Sequence, residues 1–198
     1  MNYFYKVTNK DAHNILDDLR DCFASHKNNM QYFDQTPVAV RIPLDNWNYV
    51  VENYPKIDEF RNKYNMNSTV TFFCTVGFFN PPRPPHIHNT KYNWGLLFPI
   101  QGTSKNVSTC FYEQVADNFK DQDYSMPGLN NCTTFFKSYE DLKLHSKFYS
   151  IDNDIYMFNG NQWHVPQIEG DNKNAADDRV VMYWYIQDTF ENLKCLID

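Results

Sequence analysis

The spacing of apolar residues changes character once along the chain, near residue 68. Before that point it is helical. Ala12, Ile15, Leu16, Leu19 and Phe23 fall on one face of a 3.6-residue period. Thr8-Asn9-Lys10-Asp11 ahead of them has the form of a capping box. The pattern predicts an amphipathic helix over 11–25. Residues 36–44 are rich in β-branched residues and end at a proline, which predicts an edge strand. From residue 45 the apolar positions Trp47, Val50, Val51 and Tyr54 return to the helical period. Pro55 interrupts it, and a second short helix is expected through Ile57, Phe60 and Tyr64.

After residue 68 the pattern is that of strands. β-rich runs are expected over 69–79, 94–100, 108–113, 154–158, 162–165 and 179–186, with weaker candidates at 133–137 and 148–151. Asn159-Gly160 has the composition of a hairpin turn. A short helix is expected at 189–196. Helices first and many short strands afterwards predict a mainly β chain, a jelly roll with flanking N-terminal helices. The whole of 1–198 is read as one domain, with 1–67 as helical and edge-strand support, 68–188 as the jelly-roll core and 189–198 as a C-terminal helix. A polar stretch over 116–131, carrying Tyr124, Met126 and Gly128, is a candidate lid, with a disordered surface loop as the alternative.

Composition narrows the classes. A chain of 198 residues that is 42% hydrophobic can bury a substantial core. No apolar run is long enough to span a bilayer and no export signal is visible, so a cytoplasmic location and no membrane partner are expected. The net charge of -6 comes without a basic stripe, which argues against nucleic acid as a partner. Five scattered cysteines without CxxC spacing are expected to be reduced and mostly buried.

Candidate chemistry concentrates in two segments, Pro84-Pro85-His86-Ile87-His88-Asn89 and Asn161-Gln162-Trp163-His164-Val165-Pro166. If the first runs into a strand, His86 and His88 project from one face. A third imidazole from a distant strand, His164, would complete one face of a metal ion. The alternative is a solvated strand start and a core histidine beside Trp163. His13, His26 and His145 lack a second ligand type at suitable spacing and are read as surface or structural residues. Arg179 opens an aromatic, β-branched strand on the face of Val181, Tyr183 and Tyr185. It would need an anion if buried, and either a ligand carboxylate or a neighbour such as Asp177 or Asp178 would serve.

Taken together, His86-Ile87-His88-Asn89-Thr90, Asn93 to Ile100, Thr109 to Glu113, Phe158 to Val165 and Arg179 resemble the 2-oxoglutarate and Fe(II)-dependent oxygenases. The aspartyl/asparaginyl β-hydroxylase-like group, with its small viral and bacterial relatives, is the type most resembled, over roughly 70–186. The resemblance implies a cupin-like double-stranded β-helix and a hydroxylase using Fe(II) and 2-oxoglutarate, with ascorbate as an accompanying reductant. The substrate would be a small molecule, an amino acid or a peptide. It further implies that His86 is the first metal ligand, His164 the distal ligand and Arg179 the anchor of the far carboxylate of 2-oxoglutarate. His88 stands where most members carry a carboxylate ligand, and Val181 where relatives often place a Ser that assists the Arg. Three neutral imidazoles would leave the metal site dipositive, as in three-histidine dioxygenases of cupin type. Besides that second enzyme class, a non-catalytic jelly-roll protein that binds a metal or other ligand is the third expectation.

Overall fold

The computed structural model describes residues 2–26, 31–33, 36–41, 47–64, 66, 71–75, 85–88, 94–102, 107–115, 122–123, 133–135, 139–149, 151–169, 179–186 and 188–197. It is mainly β. The chain contributes α1 (Lys10–Asn14), α2 (Leu16–His26), α3 (Trp47–Asn53), α4 (Pro55–Lys63) and α5 (Phe190–Leu193). The strands are β1 (Phe4–Lys6), β2 (Gln31–Phe33), β3 (Thr36–Arg41), β4 (Thr71–Thr75), β5 (His86–His88), β6 (Trp94–Gln101) and β7 (Val107–Gln114). They continue with β8 (Gln122–Asp123), β9 (Thr133–Phe135), β10 (Leu142–Tyr149), β11 (Tyr156–Asn159), β12 (Trp163–Ile168) and β13 (Val180–Ile186).

The strands form two antiparallel sheets. One has seven strands in the order β1-β11-β6-β13-β4-β3-β2, and the other has six in the order β10-β7-β12-β5-β9-β8. Their facing surfaces share a cluster in which Leu97, Phe158 and Val181 of the first sheet meet Val107, Phe111 and Phe148 of the second. The helices cover the opposite face of the seven-stranded sheet. Ile15, Leu16, Leu19, Phe23, Ile57 and Phe60 pack there with Leu96, Phe98, Met182 and Trp184. Burial on both faces explains why β6 reads as a nearly unbroken apolar run instead of alternating.

Several elements depart from the sequence expectations. The helix expected over 11–25 is two helices meeting at Ile15, and its cap is Asn9, whose side chain accepts from the backbone N–H groups of Asp11 and Ala12. Asp11 instead turns outward to Tyr64 and Lys63, at 2.8 and 2.6 Å, tying α1 to the end of α4. β3 is not an edge, because β2 lies outside it. The weak strand expected at 148–151 is the eight-residue β10, which ends at Tyr149. It forms an edge of its sheet, and its solvent-facing positions and a register shift between Leu144 and Ser146 erase the alternation that would have marked it.

Asn159-Gly160 does make a turn, in which Asn159 Oδ1 accepts from Asn161 N–H at 2.9 Å. It does not close a hairpin. β11 and β12 belong to different sheets, so the turn carries the chain from one layer to the other. Cys22, Cys110 and Cys195 are free thiols, the first two buried and the third exposed, while the Cys74 side chain and Cys132 lie outside the described residues. The lid expected over 116–131 also lies outside them, apart from β8, which pairs with β9. No helix among the described residues is long and apolar enough to cross a membrane.

Candidate metal centre

The three histidines singled out in the sequence converge. β12 runs antiparallel to β5 with His164 directly opposite His86, so register alone sets two imidazoles side by side. His88 joins them from the next position on the same face of β5. The intervening Ile87 packs on the far side of the sheet with Cys110, Tyr112, Trp163 and Val165. The backbone fixes His88 further, because its N–H donates to the Gly160 carbonyl at 2.8 Å. The turn that moves the chain between sheets therefore also holds a candidate ligand.

One ligand atom from each of the three residues lies within 4.8 Å of the other two, a grouping that could hold a metal ion. His88 Nε2 and His164 Nε2 are 3.1 Å apart. Two imidazole nitrogens bound at about 2.1 Å would be about 3.0 Å apart at a right angle and about 3.4 Å apart at the tetrahedral angle. The observed 3.1 Å lies within the range that two ligands of one ion span, and it is also an ordinary hydrogen-bond distance.

Protonation is set by the surroundings. His164 Nδ1–H donates to the Gln162 carbonyl at 2.7 Å, which leaves the Nε2 lone pair facing His88. His164 is 4% exposed, and burial pushes its pKa down to about 4, partly offset by that hydrogen bond. A neutral ring at physiological pH is the form a metal ligand requires. Phe111 and Phe158 line its sides, with ring centroids 5.8 and 5.4 Å from the imidazole. His86 is also buried and His88 half-buried, so the cluster sits at the rim of the space between the sheets.

Arg179, at 0% exposure, immediately precedes β13. Val180 packs on the helix side of its sheet, while Val181 and Tyr183 belong to the intersheet cluster. Alternation continued one residue beyond the strand would put Arg179 on the side of Val181 and Tyr183. Tyr183 is beside Phe158, at 6.0 Å between ring centroids, and Phe158 is beside His164. Arg179 stands four residues ahead of Tyr183, the β13 residue beside the aromatic wall of the histidine cluster. Asp177 and Asp178 lie outside the described residues.

Of the remaining histidines, His13 places Nε2 3.1 Å from the Val7 carbonyl, and His145 lies exposed 3.6 Å from Glu113. Neither belongs to the cluster, and the side chain of His26 lies outside the described residues. Sequence reasoning overlooked the contributions of Gln162, Gly160, Phe111 and Phe158. Gln162 and Gly160 act through backbone carbonyls, which carry no residue signature. The aromatic pair was visible only as ordinary strand residues. In comparisons with known proteins, no family model and no curated protein matches the chain.

Proposed function

We propose that the protein is an Fe(II)- and 2-oxoglutarate-dependent oxygenase acting as a hydroxylase, and that its two sheets form a double-stranded β-helix. The observation that carries the proposal is the convergence of His86, His88 and His164, whose ligand atoms all lie within 4.8 Å of one another. The buried Arg179, just ahead of β13, supports the cosubstrate. When bound, the iron supplies oxygen activation: one atom of O2 enters a C–H bond of the substrate while 2-oxoglutarate takes the other and leaves as succinate and CO2.

The chain's own contribution is positional and electrostatic. Gln162 fixes the His164 tautomer and His164 presents Nε2. Phe111 and Phe158 keep water from one side of the ring. His86, His88 and His164 are neutral ligands, so the site retains the full dipositive charge, which favours an anionic 2-oxo acid. Arg179 supplies a fixed cation for the second carboxylate. The test is succinate release from 2-oxoglutarate with Fe(II) and ascorbate; a protein that binds neither Fe(II) nor 2-oxoglutarate contradicts the proposal.

The presence of His88 where a carboxylate is expected favours a second reading, a three-histidine dioxygenase that binds its organic substrate on the metal without 2-oxoglutarate. In that case Arg179→Ala leaves metal-dependent activity intact. Under the first reading the same change abolishes 2-oxoglutarate turnover. A non-catalytic, metal-binding β protein would instead hold stoichiometric Zn that Fe(II) cannot replace.

A further inference from the structure

The groups that orient the His164 ring share one neighbour, the short strand β1 and the residue ahead of it. Phe111 and Phe158 flank the imidazole, and the Gln162 carbonyl fixes its tautomer. Phe4 is paired with Phe158 across β1 and β11, and its ring stacks on Phe111 at 5.5 Å between centroids. The Tyr3 ring is 6.1 Å from that of Phe111, and the Tyr3 carbonyl accepts from Asn159 N–H at 2.9 Å. Asn159 opens the turn that holds two candidate ligands: its own carbonyl accepts from Gln162 N–H at 3.2 Å, and the Gly160 carbonyl accepts from His88 N–H.

β1 is fastened differently at its two ends. At one end Val7 N–H donates to the Ile155 carbonyl at 2.9 Å, Lys6 pairs with Asp154 at 2.8 Å, and Val7 is buried in the helix-side core. At the Tyr3 end the fastening crosses to the six-stranded sheet. The register shift in β10 passes over His145, and an irregularity of this kind re-aims a side chain. The His145 ring lies 4.2 Å from the Tyr3 ring between centroids. Glu113 Oε1 is 3.6 Å from His145 Nε2 and accepts from the Tyr3 hydroxyl at 3.5 Å. His145 and Glu113 are exposed, so this end is the weaker of the two. A three-residue ladder with one exposed fastening is the kind of element that opens locally while the rest of a fold stays closed.

We propose that β1 is a strap coupled to the metal centre, with Tyr3 and Phe4 as positioning residues. Seated, it packs the aromatic walls and the 159–162 turn around His164, and a metal ion held by the three imidazoles in turn keeps β1 seated. This rests on the metal-binding part of the reading above and is independent of the cosubstrate. Linkage makes the effect reciprocal: the factor by which seating of β1 raises metal affinity is the factor by which metal disfavours its opening. Groups behind a metal ligand are worth about 10–100-fold in affinity, which sets the expected scale.

The test uses the full chain with Co(II) alone as the probe, because its visible bands report the geometry of its ligands. Amide hydrogen exchange of the wild type is followed with and without saturating Co(II). Exchange over 4–6 should slow by about tenfold or more, and by clearly more than in α4, which lies on the far side of the seven-stranded sheet. In Tyr3→Ala, Co(II) affinity should fall by about tenfold with shifted visible bands, and Tyr3→Phe, which keeps the ring, should restore most of both. Unchanged exchange over 4–6 overturns the strap, and so does equal slowing in β1 and α4, which marks global stabilisation alone. Tyr3→Ala with wild-type Co(II) affinity and bands overturns it as well, whatever its melting temperature. The exchange comparison needs no variant, so it decides even where Tyr3→Ala folds poorly. Each of these results leaves the metal centre standing, whereas wild-type protein that binds no Co(II) overturns both.

Discussion

The two faces of the six-stranded sheet use polar residues in opposite ways. On the outer face the groups satisfy one another. Glu169 accepts from Ser108, from Lys147 at 2.6 Å and from Tyr149 at 2.9 Å, and Gln167 donates to the Tyr112 hydroxyl at 2.6 Å. Its hydrogen-bonded partners hold Glu169 below the usual carboxylate range, Lys147 first among them. On the inner face the Nε2 atoms of His88 and His164 lie at hydrogen-bond distance, 3.1 Å, within a cluster of three imidazoles, and the buried Thr109 hydroxyl lacks a partner among the described residues. A closed network stabilises strands, whereas a cluster of three imidazoles and an unsatisfied hydroxyl leave groups that a bound ion or ligand can engage. The same strands β7 and β12 carry both, one on each side.

The sharpest way to break this contrast is to remove an inner ligand. His164→Ala should lower metal affinity by at least about a hundredfold, since even partners behind a ligand are worth 10–100-fold, as checked by competition with a chromogenic chelator. The fold should survive, read by an unchanged far-ultraviolet circular dichroism spectrum.

The next effect is in pH dependence. His164 takes up its proton near pH 4 in the folded protein but near pH 6.5 when unfolded, because burial lowers the folded value. The unfolded chain therefore binds more protons between those values, and stability falls as pH is lowered through that window. The part due to His164 is at most about 3 kcal/mol, fully lost once pH drops below 4. Compared with wild type, His164→Gln should flatten this limb in urea melts of chelator-treated protein. An identical limb would show that the ring is not held neutral.

On the outer face, Glu169→Ala should cost about 1–2 kcal/mol, because the buried Ser108 loses an acceptor while the half-exposed Lys147 and Tyr149 return to water. Metal affinity should stay within about twofold of wild type, and a larger loss would erase the distinction between the faces. The smallest effect is expected at Gly160→Ala. A Cβ there would meet the His88 ring at 3.5 Å, an ordinary contact, and the His88 hydrogen bond uses only the Gly160 carbonyl. Stability should change by less than about 1 kcal/mol, in line with the backbone preference alone.

Strand periodicity was enough to put His86 and His88 on one face, and the two-segment pattern identified His164 as their partner. It could not give the register that seats His164 opposite His86, because that depends on how β12 pairs with both β5 and β7. The sequence placed Arg179 at the opening of the strand that carries Val181 and Tyr183, and the structure buries it there. The burial of Thr109 was not legible, since a threonine in a β-rich run has no signature separating an ordinary strand residue from one whose hydroxyl is buried. The outer network was equally hidden, because Ser108, Lys147 and Glu169 meet only when three strands assemble. β10 was legible only at its end, because an edge strand with a register shift loses the alternation on which such readings depend.

The central claim, that the inner face is a metal site open to a 2-oxo acid, is tested most directly by anaerobic titration of the chain with Fe(II), followed by 2-oxoglutarate, monitored by visible absorption. The account predicts one Fe(II) per chain, a new charge-transfer band when the 2-oxo acid chelates it, and loss of both in His86→Ala and His164→Ala. Equal Fe(II) binding by wild type and both variants, or Fe(II) binding with no band on adding 2-oxoglutarate, would contradict it.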